Sequence, residues 1–160
     1  MTSHCSIWEM AKAAPHTRVY PNLFMGSKRA IQDTDPGDFD VYVSMAAEIK
    51  PPRSVRGDFA SYHVKLQDKP WNFTSHPEEL IELVAIARDL AMLVKSGHNV
   101  LVFCQMGMNR SGLMAALILM NLGYSWKKAL KTIRRRHGCT MSNESFVQAL
   151  PYAQRIIRGS

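Results

Sequence analysis

Between an apolar run, Val100-Leu-Val-Phe, and a long apolar segment that begins at Ser111, the chain reads Cys104-Gln-Met-Gly-Met-Asn-Arg110-Ser111. If a buried strand ends at Cys104 and a helix opens at Arg110 and Ser111, the residues between them form a tight loop over a helix N-terminus. Such a loop is an anion site. Its amides can turn around a tetrahedral oxyanion, and the helix adds unpaired N–H groups and positive potential. Gly107, in the middle of the loop, has the conformational freedom a tight turn needs. The planar fork of Arg110 suits two equatorial oxygens. An arginine at a helix start is otherwise disfavoured by the helix dipole, which itself argues for an anion there. The same field would favour a thiolate at Cys104, because a free thiol of pKa about 8.5 is lowered beside helix N-termini or cations. The Ser111 hydroxyl can donate to that sulfur. A thiolate facing phosphorus, with the other oxygens held, is an in-line nucleophile for phosphoryl transfer.

The elements that must hold this loop are legible too. Ser6 to Ala14 reads as a short helix, with Ser6 and Glu9 as a capping box and Pro15 as its stop. Arg18 to Gly26 reads as a strand and turn, Val41 to Met45 as a strand, and Ser61 to Leu66 as another. Turn-rich loops separate them, at 32–38 and at 49–57. A polar and aromatic loop, Asp68 to Ser75, precedes a helix expected to start with a Ser75–Glu78 capping box around Pro77. Leu80, Leu83, Val84, Ala87, Ala91 and Val94 fall on one face of that helix, and Gly97 closes it. Asn99 to Phe103 suits a central strand buried on both faces. Ser111 to Leu122 suits a buried helix. Ser125 should cap a basic helix that runs to about His137, and Asn143 to Ile157 is helical in pattern, with a break or kink expected at Pro151. Strands alternating with helices predict an α/β fold: a single domain with a central, mostly parallel sheet flanked by helices.

Size and composition agree. For 18.1 kDa the folded surface should be roughly 8,000 Å², with about two thirds of the unfolded chain's surface buried, enough for one core. We expect one domain over 1–160, with 1–17 as an N-terminal extension. Twenty basic against thirteen acidic residues leave a net charge of +7, which favours anionic partners without choosing among them. Three cysteines, Cys5, Cys104 and Cys139, exclude a disulfide scaffold and fit a reducing compartment. The longest apolar stretch, Leu113 to Met120, is too short to span a bilayer. The N-terminus has no basic start followed by an apolar run, so it does not read as a signal peptide. An intracellular, cytoplasmic protein is expected.

Cys-x5-Arg-Ser between strand and helix resembles the signature of the cysteine-dependent protein tyrosine phosphatases. The resemblance extends beyond the loop. Asn22-Leu-Phe-Met-Gly-Ser, Val43-Ser-Met-Ala-Ala-Glu, Tyr62-His-Val-Lys-Leu-Gln-Asp and Asn143-Glu-Ser-Phe-Val-Gln-Ala-Leu are similar, in order, to segments of the dual-specificity branch. The likeness covers roughly Val19 to Ile157. It implies that Cys104 is the nucleophile, Arg110 the phosphate clamp and Asp68 the general acid. It further implies that Ser111 tunes the thiolate and eases breakdown of a phosphocysteine, and that Asn143 supports the phosphate loop. Gln105, Met106, Gly107, Met108 and Asn109 would line the substrate cradle together with Arg110. The usual His before the nucleophile is replaced by Phe103, which implies weaker thiolate activation and a higher pH optimum. The implied partner is a phosphorylated protein, bearing phosphotyrosine and also phosphoserine or phosphothreonine. The uncharged loop residues Gln105, Met106, Met108 and Asn109 differ from the lysines of relatives acting on inositol phospholipids. Two alternatives stand beside this reading: an RNA 5′-triphosphatase of the same fold, with nucleic acid as partner, and a phospho-binding pseudophosphatase. No cofactor or metal is expected, since the loop amides and Arg110 supply the positive charge.

Other residues carry two readings. Trp71 and Phe73 either stack on a phosphotyrosine ring or a base, or cover the core. Met106 and Met108 either line the rim or pack. Arg134-Arg135-Arg136 is either a solvated helix face or an attractor of acidic substrates. Asp58 and Asp89 compete with Asp68 for the acid role. His137 and Cys139 lack zinc partners, and Cys5 and Cys139 should be inert. The Cys104 thiol is expected to be exposed and open to peroxide.

Overall fold

The computed structural model describes residues 16–32, 35, 37–53, 61–107, 109–136, 138 and 140–159. The expected Ser6–Ala14 helix, Cys5, Asp58, Met108, His137 and Cys139 lie outside the described residues.

Five strands form one mixed sheet: β1 (His16–Tyr20), β2 (Leu23–Gly26), β3 (Val41–Ala46), β4 (Tyr62–Leu66) and β5 (Val100–Phe103). Their spatial order is β1-β2-β5-β3-β4. The β1–β2 pair is an antiparallel hairpin, and the other three pairings are parallel. The sheet is therefore mostly parallel, as the alternation of strands and helices predicts. Strand β1 begins at His16, inside the segment expected to be an extension. The run Val100–Phe103 is apolar at every position because β5 is inserted between β2 and β3 and is buried on both faces.

The helices are α1 (Arg29–Gln32), α2 (Pro77–Lys95), α3 (Arg110–Asn121), α4 (Trp126–Arg136) and α5 (Glu144–Arg158). Every residue of α3 from Arg110 to Met120 is buried. Helix α3 packs on β2, β3 and β5 and is covered by α2, α4 and α5, so it needs an apolar surface all round. The face expected for α2 is the one it buries, with Leu90 added.

Two local expectations fail. Helix α2 begins at Pro77 as expected, but its N-cap is His76 and no side chain caps it. The Ser75 N–H donates instead to Asn72 Oδ1, so the loop's own turn holds Ser75 one position too early to cap. Helix α5 runs past Pro151 to Arg158 without a break. Its buried residues, Phe146, Ala149 and Leu150 before or at the first turns and Ala153 beyond the proline, anchor both halves to the core, and this packing outweighs the missing backbone bond.

The parallel strands β2, β3, β4 and β5 all end at the same edge of the sheet. The segments that follow them, Ser27, Glu48, Asp68 and Cys104, are thereby gathered at the carboxyl edge, where open α/β sheets place their ligand sites.

Candidate active site

The loop from Cys104 to Arg110 is built by close backbone approach. The Cys104 N–H donates to Gly26 O at 3.2 Å, and the Lys28 N–H donates to Gln105 O at 3.3 Å. Gly107 has φ +72°, and a Cβ there would lie 2.7 Å from Gly26 C and Ser27 N. Glycine is thus required twice, for the left-handed turn and for the contact with the end of β2. The amides of Gln105, Met106 and Gly107 donate to no acceptor among the described residues. Asn109, the N-cap of α3, does not cap the helix with its side chain, which leaves the first-turn N–H groups available for an anion.

Cys104 lies at the floor of this loop, 2% exposed. The expectation of an exposed thiol is corrected: the loop folds over the sulfur, and β5 ends one residue earlier. Cys104 Sγ and Ser111 Oγ form a hydrogen-bonded pair at 3.4 Å. A neutral thiol can donate in this pair; against a thiolate only the hydroxyl can. Phe103 is fully buried in the core and offers the sulfur neither charge nor a hydrogen bond.

Arg110 is buried, and its orientation was not foreseen. Its Nη1 donates to Glu48 Oε2 at 3.1 Å and to Leu66 O at 3.1 Å, and its Nη2 donates to Glu48 Oε1 at 2.7 Å. A guanidinium has five N–H groups in one plane. Three are used, and Glu48 takes the outer end. The edge that remains comprises Nε–H, buried with no protein partner, and the second hydrogen of Nη2. Two parallel donors on one edge are the geometry for bidentate oxyanion binding. Glu48 thus fixes the guanidinium without occupying that edge. Burial pulls the guanidinium pKa down, but the Glu48 hydrogen bond and the surrounding negative groups outweigh it and hold the value above the ordinary one. The Arg110 bond in turn lowers the Glu48 carboxyl below its usual 4.5.

The turn after β3 presents Glu48. Ser44 is fully buried, donates to Ile49 O at 2.6 Å and accepts from Ala46 N–H at 3.3 Å. His63 on β4 contacts Ala46 O through Nε2 at 2.9 Å. Replacing Glu48 by Gln keeps the shape and removes the charge. We expect kcat/KM to fall about tenfold and inhibition by inorganic phosphate to weaken by a similar factor, the scale of one charge-assisted hydrogen bond. A purely structural role would lower the melting temperature and leave phosphate inhibition unchanged. Because the Glu48 pKa is depressed, its contribution is present above the ordinary carboxylate value and is lost as pH falls through the lowered one.

Asp68, just beyond β4, is brought to the same loop. Its Oδ2 accepts from Asn109 Nδ2 at 3.0 Å and its Oδ1 from Asn143 Nδ2 at 3.1 Å. Asn109 Oδ1 accepts from the Asn143 N–H at 2.9 Å and from Ser142 Oγ at 3.3 Å. Asn143 therefore supports the Cys104–Arg110 loop through its backbone while its side chain holds the loop after β4, also donating to Lys69 O at 3.0 Å. The structure brings Cys104, Gln105, Met106, Gly107, Asn109, Arg110, Ser111, Asp68 and Asn143 together. Met106 is exposed, at the rim. Asp89 is an exposed residue of α2. Phe73 is buried, and the Trp71 ring packs edge-on against Phe146 while its Nε1 donates to Glu79. Both cover the core, the second of their two readings. Glu48 and Ser142 were missed. Glu48 stood inside a quoted segment, but only the strand order places it beside Arg110.

A family model for the catalytic domain of dual specificity phosphatases matches residues 23–156. No curated protein sequence matches the chain. Among solved structures, human DUSP28 superposes with a TM-score of 0.74 at 23% identity, covering 91% of this chain and 97% of that one. A mouse putative dual specificity phosphatase complexed with zinc tungstate gives 0.74 at 22%, covering 93% and 92%. The human tyrosine phosphatase-like serine/threonine/tyrosine-interacting protein gives 0.64 at 21%, covering 88% and 96%. At these identities the structures speak for the fold. The family match spans nearly the whole described chain, strand β2 through helix α5, and on it this chain belongs to the dual specificity phosphatases, as a catalytic domain of that family.

Proposed function

We propose that the protein hydrolyses phosphotyrosine in proteins, and phosphoserine and phosphothreonine as well, through a phosphocysteine intermediate. The observation that carries the reading is the pairing of Cys104 at the loop floor with an Arg110 whose free edge Glu48 holds in place. In the first step Cys104 sulfur attacks phosphorus, the P–O ester bond breaks, and Asp68 gives its proton to the leaving oxygen. In the second, water attacks the phosphocysteine, Asp68 takes the water's proton, the S–P bond breaks, and phosphate leaves. Loop amides and Arg110 balance the charge on the equatorial oxygens in both steps. Ser111, 3.4 Å from the sulfur, stabilises the departing thiolate in the second step.

A second reading has specific support. Phe103 supplies no help to the sulfur, and the fold is shared with a human phosphatase-like interacting protein. In that reading the chain binds phosphoproteins without turnover. The deciding experiment mixes the enzyme with a ³²P-phosphotyrosine peptide, quenches in acid within one turnover and maps the label. A labelled Cys104 peptide supports the hydrolase. Binding of the peptide with no label and no released phosphate would establish the binding protein. Release of phosphate from triphosphate-ended RNA in preference to the peptide would move the substrate class to RNA.

A further inference from the structure

Helix α4 carries Lys127, Lys128, Lys131, Arg134, Arg135 and Arg136 and no acidic residue. Helix stability accounts only for Arg134, Arg135 and Arg136, whose place in the last turn the dipole favours. Lys127 and Lys128 sit in the first turn, where the helix dipole opposes cations. Lys127 with Lys131, and Lys131 with Arg135, are like-charged pairs at i,i+4, which repel. Among the described residues, no carboxylate pairs with any of these six side chains. Four of them, Lys127, Lys131, Arg134 and Arg135, line with Trp126 and Leu130 a shallow, open groove of about 490 Å³ along the helix.

The groove is tied to the active site at two points. Arg134 donates from Nε to Thr140 O at 3.3 Å and from Nη2 to Met141 O at 2.8 Å. The next two residues, Ser142 and Asn143, hold Asn109 and Asp68. Trp126 is also a wall of a second groove that reaches Pro70 and Trp71, on the loop that carries Asp68. We infer that the α4 groove docks an acidic segment of the phosphoprotein whose phosphorylated residue enters the Cys104 loop; this rests on the function proposed above. Eleven helical residues span roughly 16 Å, the length of about five residues of extended peptide.

The groove's chemistry fits this occupant better than a single strand of nucleic acid or a membrane surface. Single-stranded nucleic acid needs open aromatic faces for stacking. Here Lys127 Nζ lies over the Trp126 ring at 5.6 Å, and Lys128 Nζ lies over Tyr124 at 4.2 Å. A membrane-surface helix needs exposed apolar side chains to insert. Among the described residues the exposed large apolar ones, Ile81, Met92, Met106 and Tyr152, all lie off α4.

The test compares phosphotyrosine peptides with a glutamate run at increasing spacing from the phosphotyrosine against peptides with serine in its place. At low salt we expect KM for the best acidic peptide to be about tenfold lower, the yield of a few exposed charge pairs, with kcat unchanged and the preference shrinking as salt is raised. Lys131→Glu/Arg135→Glu should erase the preference and leave hydrolysis of a small aryl phosphate at the wild-type rate, which also shows the variant folded. Lys131→Gln/Arg135→Gln should give an intermediate preference. The inference is overturned if wild type shows no preference at any spacing, or if the preference survives charge reversal. It is also overturned if an oligonucleotide or an anionic phospholipid vesicle displaces a fluorescent acidic peptide at lower charge concentration than the unlabelled peptide does. Should wild type hydrolyse no phosphoester, the failure lies with the proposed function, and anisotropy of the same labelled peptides still reads the groove.

Discussion

Cys104→Ser should abolish turnover, with kcat lowered on the order of 10⁴-fold or more, the scale for loss of a catalytic nucleophile. The hydroxyl that replaces the thiol is nearly isosteric but is not ionised near neutrality. It sits on the same floor, beside Ser111 and beneath a loop whose path is set by Gly107 and by the Cys104 N–H to Gly26 O bond. The Gly107 contact and the Cys104 N–H bond do not involve the sulfur, and a serine hydroxyl can keep the hydrogen bond to Ser111. Binding should therefore survive: the affinity for phosphotyrosine peptide, read by anisotropy, should stay within about threefold of wild type, because Arg110 and the loop amides still face the phosphate. The melting temperature should also hold. A variant that still hydrolyses an aryl phosphate at a rate near wild type would remove Cys104 from the mechanism and leave the loop as an anion site alone. The phosphatase-like reading predicts a different pair of results, two inactive proteins that bind equally well.

The features that sequence reveals here are those that are local in the chain. Cys104, Gly107, Arg110 and Ser111 lie in one strand-to-helix connection, and their types and spacing are enough to predict an anion loop. The strand Val100–Phe103 and the helix after it are legible because a central strand and a covered helix both require uninterrupted apolar sequence. The supports of the site are remote. Glu48 is 62 residues from Arg110, Asn109 is 41 from Asp68, and Asn143 is 75 from Asp68. Nothing in local periodicity says that β5 inserts between β2 and β3, and without that order Glu48 is one more acid after a strand. Pro151 misleads for the opposite reason. A strong local rule is overruled by Phe146, Leu150 and Ala153, whose burial is a tertiary fact. The exposure of the Cys104 sulfur is likewise set by the loop that folds over it, not by its neighbours in sequence.

Asp68→Ala should lower kcat for phosphotyrosine peptide by roughly 10²- to 10³-fold, within the range for loss of a general acid. The loss should depend on the leaving group. Phosphoserine peptides, whose alkoxide must be protonated as it departs, should lose more than phosphotyrosine peptides. Aryl phosphates with strongly electron-withdrawing substituents should lose little, because their phenolate leaves unaided. A plot of log kcat against leaving-group pKa should therefore be shallow for wild type and steep for the variant. Geometry favours Asp68 over other acids for this slope. Both of its oxygens are reached by amides, one from Asn109 of the Cys104–Arg110 loop and one from Asn143, which also bonds Asn109, so the carboxyl is held against that loop. Asp89, exposed on α2, has no such tie, and Glu48 is committed to Arg110 at 2.7 Å and 3.1 Å. Asp68→Asn discriminates further. It restores the size of the side chain but places an amide among amide donors, so it should show the same steep slope as the alanine variant. If instead both variants lose activity uniformly across leaving groups, Asp68 acts only by holding Asn109 and Asn143, and the proton must come from another acid.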